Sequence, residues 1–411
     1  MNKAKLFQKD FILVVIGQII SLFGNSILRF ALPLYLLRKT SSAYLFGMVT
    51  AFSFLPMIVL SLLGGVLADR FNKRNVMVGL DFFTAILTFF LSIVLDRLPL
   101  VPLLIVALML LNGIQGAYQP VVQASIPLVV FKERLVTANA VINQVHAMAN
   151  LLGPILGGIL FSEWGIIPIF HISGICIIIA AVMEIFIYIP HNREKSQDGV
   201  LDIVVGDLKD SFRYMRREKP IYFSLMSLIS LFNLFLSSMI IVGVPVLIIE
   251  TLTMDDTFFG YSQGMLAAGG LIGGIFMGVY GEKMDLKKSY LLILTCALGV
   301  LPTVVVLIFE VPLFISYIII TAMGFILMLI STMFTVQIMA FVQEQTPTEL
   351  VGKVISFFLS FSICALPIGQ ALYGILFEYL VDELWIVVLV TALISFAISI
   401  YSKKIFSSLK E

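Results

Sequence analysis

The sequence predicts an all-α membrane protein of twelve transmembrane helices in two pseudo-symmetric six-helix bundles. Three observations carry that class. Of the 411 residues, 60% are hydrophobic and only 12% charged, against about 45–50% and about 25% in soluble globular domains. The apolar residues gather into twelve runs, each near the ~20 residues that a helix needs to cross roughly 30 Å of hydrocarbon. Landmarks of the first half recur in the second at a constant separation. Composition alone therefore excludes a water-soluble enzyme, a disordered chain and a disulfide scaffold. The net charge of +1 supplies no basic stripe for phosphates, so nucleic acid is not an expected partner.

The runs lie near 11–37, 44–68, 76–95, 101–129, 138–162, 167–189, 221–249, 257–280, 288–308, 313–341, 352–378 and 383–402. Lipid offers no partner to backbone polar groups, so only helices or closed barrels cross it. Unbroken apolar runs, rather than alternation, select helices. The first run is too long for a cleaved signal peptide and lacks a small-residue cleavage site. Cys176, Cys296 and Cys364 all fall inside spans, so no disulfide is expected.

Orientation follows from the basic residues. With a cytoplasmic N-terminus, only Arg38, Lys39 and Arg97 of the 26 Lys and Arg fall in outer loops, and Arg29 lies inside the first span. Basic residues stay on the cytoplasmic side of membranes. Both termini are therefore expected in the cytoplasm, with the chain in the plasma membrane. Residues 1–189 form the expected N-terminal bundle, 190–220 a cytoplasmic linker and 221–411 the C-terminal bundle. In the linker, Leu201, Val205, Leu208, Phe212 and Met215 recur at helical spacing. Two readings stay open there: an amphipathic helix at the membrane surface, or a solvated connection without fixed structure.

The halves are repeats. Gly65-Val-Leu-Ala-Asp69-Arg70 after the second span has a counterpart in Gly278-Val-Tyr-Gly-Glu282-Lys283 after the eighth. Gly65 to Gly278 and Pro154 to Pro367 are both separations of 213 residues. Two bundles in the same topology are the parallel repeat of a secondary transporter, which holds its substrate near the bilayer midplane.

The motifs carry a resemblance. Gly65-x-x-x-Asp69-Arg70-x-x-Lys73-Arg74 resembles the loop signature of the major facilitator superfamily, with Asn72 where the usual pattern has glycine. The resemblance implies that these five residues clasp the two halves in one conformation. Ala149-Asn-Leu-Leu-Gly153-Pro154-Ile-Leu-Gly157-Gly158 resembles the superfamily's antiporter signature. Gly153 and Gly157 lie on one helix face and permit close packing, and Pro154 favours a bend. The signature implies an exporter, in which this helix seals the path while the halves rock. The second half keeps Pro367 but has Gln370 and Ala371 at the paired-glycine places. Gly17-Gln18, Ser21, Ala31, Pro33 and Tyr35, with Leu55-Pro56 and Val351-Gly352-Lys353-Val354, are similar to the macrolide-efflux branch, which also includes siderophore exporters. The resemblance thus implies a monomeric secondary transporter of amphipathic small molecules, driven by proton antiport, with membrane lipid around it and no cofactor. One departure bears on mechanism: an arginine that proton-coupled members carry three residues before a Gln-Gly pair is here Asn112, before Gln115-Gly116.

Polar stripes mark the expected path. Gln18, Ser21, Asn25 and Arg29 share one face of the first span, and Asn112, Gln115, Gln119 and Gln123 one face of the fourth. Polar groups avoid lipid. The stripes either line a cavity or hydrogen-bond between helices; the candidates for the cavity are Gln18, Asn25, Arg29, Asn112, Gln115 and Gln119. Asn139, Asn143, His146 and Asn150 of the fifth span read as interhelical hydrogen bonding. A charge at mid-span costs roughly 2.5–3.5 kcal/mol, so Arg29 needs the outer interface, a carboxylate such as Glu184 or Asp81, or an anionic substrate group. The protonation candidates are Asp81, expected to support the loop after the second span, His146, and Glu184, close enough to the cytoplasmic end to reach water.

Two patterns are decoys. Gly260-Tyr261-Ser262-Gln263-Gly264 fits a nucleophile elbow only on a strand-to-helix turn, and here it opens a membrane helix. The glycines from Gly269 to Gly278 lack the Lys-Ser/Thr of a phosphate loop. No metal-ligand cluster is apparent. Two rivals to drug export stay open: export of an anionic metabolite, siderophore or lysolipid, and a transporter-like sensor that moves nothing.

Overall fold

The structure, a computed structural model, describes residues 9–131, 134–189, 200–309, 311–347 and 350–407. Twelve of its helices are long and apolar enough to cross a membrane. In chain order they are α1 (Lys9–Thr40), α2 (Ala43–Arg70), α3 (Lys73–Val94), α4 (Leu100–Val129), α5 (Leu135–Trp164), α6 (Ile166–Ile185), then α8 (Ile221–Thr251), α9 (Asp256–Tyr280), α10 (Tyr290–Ile308), α11 (Leu313–Gln345), α12 (Val351–Tyr379) and α13 (Leu384–Ser407). Between the sets of six lies α7 (Val200–Arg217). The boundaries have local causes. Asn72 caps α3 by accepting from the Asn75 amide, as a short polar side chain does for an orphan N–H. Proline precedes the first residue of α4, α8 and α11, where a missing donor costs nothing. Gly165, at φ 73°, makes the turn from α5 to α6.

The chain forms two compact units. Unit 1 is 1–40, 52–200 and 256–264; unit 2 is 41–51, 201–255 and 265–411. Each unit thus takes the opening turns of one helix from the other half of the sequence. The two borrowed segments are built alike. Ser41 and Thr253, the only non-glycine residues at positive φ among those described (45° and 50°), stand just ahead of them. Gly47 and Gly260, again 213 residues apart, make the crossings. In unit 1, a Cβ on Gly260 would sit 2.6 Å from the Pro154 carbonyl oxygen and 3.0 Å from Gly158 Cα. In unit 2, one on Gly47 would sit 2.6 Å from the Gln370 carbonyl oxygen and 2.7 Å from Gly374 Cα. Only glycine lets backbones meet so closely.

Polar contacts reinforce both crossings. In unit 1, Arg38 Nε donates to Asp256 Oδ1 at 2.7 Å, at the start of α9. In unit 2, Glu378 Oε2 accepts from Ser42 Oγ at 3.0 Å and from the Tyr44 amide at 3.2 Å, at the start of α2. Both carboxylates meet the positive end of a helix.

One element departs from the sequence reading. The seventh span is not a uniform helix: α8 contains π-helical segments at Asn233–Ser237 and Val246–Thr251. Side chains account for the first. Ser238 Oγ donates to the carbonyls of Asn233 (2.8 Å) and of Leu366 on α12 (3.0 Å), while Asn233 Nδ2 donates to the Ser362 carbonyl (3.0 Å). These bonds draw the turn open by one residue. In the linker, residues 200–217 are helical, one of the two readings left open by the sequence. The buried side chains there are Ser211, Tyr214 and Met215, whereas Phe212 remains exposed, its ring against Phe223 and Phe357. Tyr214 OH donates to the Gln345 carbonyl at 3.3 Å, and Lys219 Nζ to Gln345 Oε1 at 2.9 Å. This end of the linker is thus tied to α11 of unit 2. The side chains of Leu201, Val205 and Leu208 lie outside the described residues.

Candidate functional site

In unit 1, α1, α3, α4 and α6 pack together around a buried polar cluster. At Gly17, α1 lies beside α6: a Cβ there would make ordinary contact, 3.8 Å from Glu184 Cγ. Gln18 Nε2 donates to Tyr118 OH at 2.6 Å, and Tyr118 OH donates to Glu184 Oε1 at 2.6 Å. Ser21 Oγ donates to Asp81 Oδ1 at 3.3 Å, and Asn25 Nδ2 donates to the carbonyl (3.0 Å) and Oγ (3.3 Å) of Ser21. Gln18, Asp81, Tyr118 and Glu184 are 0%, 3%, 3% and 1% exposed. Met77, Val121 and Val122 pack around Tyr118.

This arrangement revises three expectations. Gln18 has no free surface, so it belongs to the interhelical network and not to an open wall. Glu184 does not reach water, because α1 covers it and Tyr118 holds it. Asp81 bonds Ser21 of α1 and so does not support the loop after α2. Neither acid pairs with Arg29. Arg29 as a residue is half-buried, and no hydrogen bond or ion pair reaches it among the described residues.

The other stripe residues separate by depth. Asn112 is buried with Oδ1 unpartnered, while Gln115 and Gln119 are half-buried and Gln119 Nε2 has no partner. Asn25, Arg29, Gln115 and Gln119 therefore keep some accessible surface. On α5, Asn143 and Asn150 are exposed and His146 half-buried, and Asn139 bonds only the Leu135 carbonyl of its own helix. Among the described residues, the expected interhelical bonds of that stripe are not formed.

Motif residues are positioned by close packing. On α5, Gly153 faces Ser26 of α1, Gly157 faces Phe30, and Gly158 faces the Asp256 carbonyl and Gly260. Pro154 lies inside the helix between them. Gly65, Asp69 and Arg70 occupy the end of α2, and their side chains lie outside the described residues. Lys73 begins α3. Arg74 donates to Asn75 Oδ1 at 3.1 Å and to the Ile185 carbonyl at 3.5 Å. Ser262 is fully buried within α9, so the elbow-like pentapeptide stands on a continuous helix. No group of three or more metal-binding side chains occurs among the described residues.

The sequence reading missed Tyr118 and the polar set of unit 2. Tyr118 was traceable: a tyrosine in mid-span needs a partner for its hydroxyl. In unit 2, Ser237 Oγ donates to Asn233 Oδ1 at 3.1 Å beside the π-helical turn. Nearby on α12, Gln370 is 0% exposed, and neither amide atom has a partner. Asn233 and Ser237, four residues apart in an apolar run, were the available signal.

Comparison with known proteins agrees with this architecture. The sequence profile of the Major Facilitator Superfamily matches residues 14–362. Macrolide efflux protein A of Streptococcus pyogenes is 25% identical over 402 residues, spanning 97% of this chain and 96% of that protein. The multi-drug resistance efflux pump PmrA of Streptococcus pneumoniae is 25% identical over 239 residues, 56% of this chain and 53% of the pump. Among solved structures, the nucleoside transporter NupG superposes with a TM-score of 0.76 at 12% identity, over 97% of this chain and 100% of that one.

Proposed function

The chain belongs to the Major Facilitator Superfamily, and from that premise we propose that it exports amphipathic compounds of the macrolide type from the cytoplasm. The observation that carries the proposal is the nearly full-length likeness to a macrolide efflux protein. The protein is a multi-pass membrane transporter, and its relatives act in efflux. Both termini are cytoplasmic in this reading, in the plasma membrane, and the sequence halves 1–189 and 221–411 rock about the linker 190–220 in alternating access. Gly65, Asp69, Arg70, Lys73 and Arg74 clasp the cytoplasmic side in one of the two conformations. Gly153, Pro154, Gly157 and Gly158 keep α5 closely packed as the halves move. Antiport of protons supplies the energy.

Asn25, Arg29, Gln115 and Gln119 are the wall residues in this reading, since each keeps accessible surface on a polar face. Arg29 also supports a second reading. A half-buried arginine with no counter-ion among the described residues suits an anionic group on the transported compound, such as a carboxylate or phosphate.

The test is susceptibility profiling of cells with and without the protein, across drugs of different charge. Export of amphipathic drugs lowers susceptibility to cationic macrolides, whereas the second reading confines the effect to anionic compounds. A proton-gradient uncoupler must abolish efflux; efflux that persists rejects proton antiport. Binding without any flux would make the protein a sensor.

A further inference from the structure

Resting on the proton-antiport reading above, we propose that Asp81 and Glu184 share one exchangeable proton and that this pair, with Gln18 and Tyr118, is the transporter's proton-loading site.

The hydrogen-bond account of the cluster leads there. Each carboxyl group uses one oxygen: Asp81 Oδ1 accepts from Ser21, and Glu184 Oε1 accepts from Tyr118. Asp81 Oδ2, Glu184 Oε2 and Gln18 Oε1 have no partner. All three are acceptors, and every one lies on a side chain at most 3% exposed. Tyr118 and Ser21 have already committed their hydrogens. What the cluster lacks is therefore hydrogen, not acceptor oxygen. A proton on either free carboxyl oxygen turns one orphan acceptor into a donor.

Electrostatics points the same way. Asp81, bonded to Ser21, and Glu184, joined through Tyr118 to Gln18 one turn earlier on α1, are buried carboxylates, and such groups resist being ionised together while water is excluded and no cation pairs with them. No counter-cation is in contact among the described residues. On α1, Arg29 is 11 residues from Gln18, about three turns away, and Lys9 and Asp10 stand at the other end, with Asp10 accepting from the Tyr188 amide. On α3, Arg74 is the nearest cation, and it is spent on Asn75 and on the carbonyl of Ile185, beside Glu184. On α4, Tyr118 is the titratable neighbour. On α5, His146 is half-buried without a bond, and on α6, Cys176 and His171 lie about two and about four turns from Glu184. Loading forms one O–H bond and adds one positive charge to the cluster. Unloading breaks that bond and returns the proton to water.

The pair also stands where α1 contacts α3, α4 and α6. Gain or loss of the proton changes the bonds of Gln18 and Ser21, on the stripe that continues to Asn25 and Arg29. That gives the proton a route of influence on the wall residues.

The test uses the purified full chain in liposomes containing a pH dye, with radiolabelled erythromycin as probe. The wild type is expected to accumulate erythromycin on an imposed proton gradient. Asp81→Asn and Glu184→Gln are each expected to lose that accumulation, and their residual erythromycin exchange no longer varies with pH. Infrared difference spectra supply a readout that does not depend on transport. The wild type should show a buried carboxylic-acid band that titrates and shifts in deuterated water, and that disappears in both variants. If the wild type ignores the proton gradient, or is driven by a sodium gradient at equal pH, the antiport reading falls and the loading role with it. If the wild type is driven and either variant keeps the full response, the site assignment alone falls. Should a variant fail to fold, the wild-type band decides: its absence overturns the shared proton.

Discussion

Tyr118→Phe isolates the central bond of the buried cluster. The substitution removes one oxygen from a side chain that is 3% exposed and leaves the ring to pack as before. Two hydrogen bonds vanish, each 2.6 Å long: the one accepted from Gln18 and the one donated to Glu184. Their worth depends on the charge of Glu184. Between neutral groups, bonds inside membrane proteins average about 0.6 kcal/mol each, and about 0.5–1.5 kcal/mol in proteins generally. Two of them amount to about 1–3 kcal/mol. A hydrogen bond to an ionised carboxylate is worth about 1.5–3 kcal/mol, and stranding that charge adds a desolvation cost of about 1–3 kcal/mol or more. With the shared proton on Glu184, Tyr118→Phe is expected to cost about 1–3 kcal/mol at neutral pH. The assay is unfolding of wild type and variant in detergent, repeated with Glu184→Gln and the double substitution to close a cycle. A loss above about 4 kcal/mol would mean that Tyr118 holds a full negative charge, which refutes a proton held on Glu184. No loss at all would refute the bond itself.

Three further outcomes are expected. Arg29→Ala and Arg29→Lys at matched expression both alter efflux kinetics, because the guanidinium has no partner among the described residues; unchanged kinetics in both would remove it from the path. Arg38→Ala and Asp256→Ala in a double-mutant cycle give a coupling of about 0.5 kcal/mol, modest because the side chains are 32% and 16% exposed; a coupling near zero shows that the crossing at Gly158 and Gly260 stands without the ion pair. Gln370→Leu raises the thermal stability by about 1 kcal/mol, since both atoms of the buried amide lack partners and an unbonded buried amide costs about 1–3 kcal/mol. A fall in stability would reveal a polar partner for that amide.

Composition and run length made the twelve spans legible, because lipid imposes one solution on a long apolar run. The constant separation from Gly65 to Gly278 and from Pro154 to Pro367 made the repeat legible as well. Side-chain periodicity could say that Gln18, Ser21, Asn25 and Arg29 share a face, but it could not say which helix meets that face. So Asp81 and Glu184 appeared as candidate partners of Arg29, whereas three-dimensional packing gives them to Ser21 and Tyr118. The π-helical turn in α8 was hidden for a related reason. It depends on Ser238 and Asn233 reaching carbonyls of α12, more than 120 residues away in sequence.

The pattern of what duplicates and what does not separates scaffold from chemistry. Adding 213 to Gly47 gives Gly260, and the two glycines make the corresponding crossings, each in its own unit. The same addition takes Gln18 to Leu231, Asp81 to Leu294, Tyr118 to Ser331 and Glu184 to Ala397. Every acid of the cluster is thus replaced by a side chain that cannot ionise. A buried acid pair costs stability wherever it stands, and the second half folds into the same architecture without one. Folding therefore does not require the cluster. A costly, ionisable feature retained in one repeat and absent from its twin is better explained by what it does than by what it holds together.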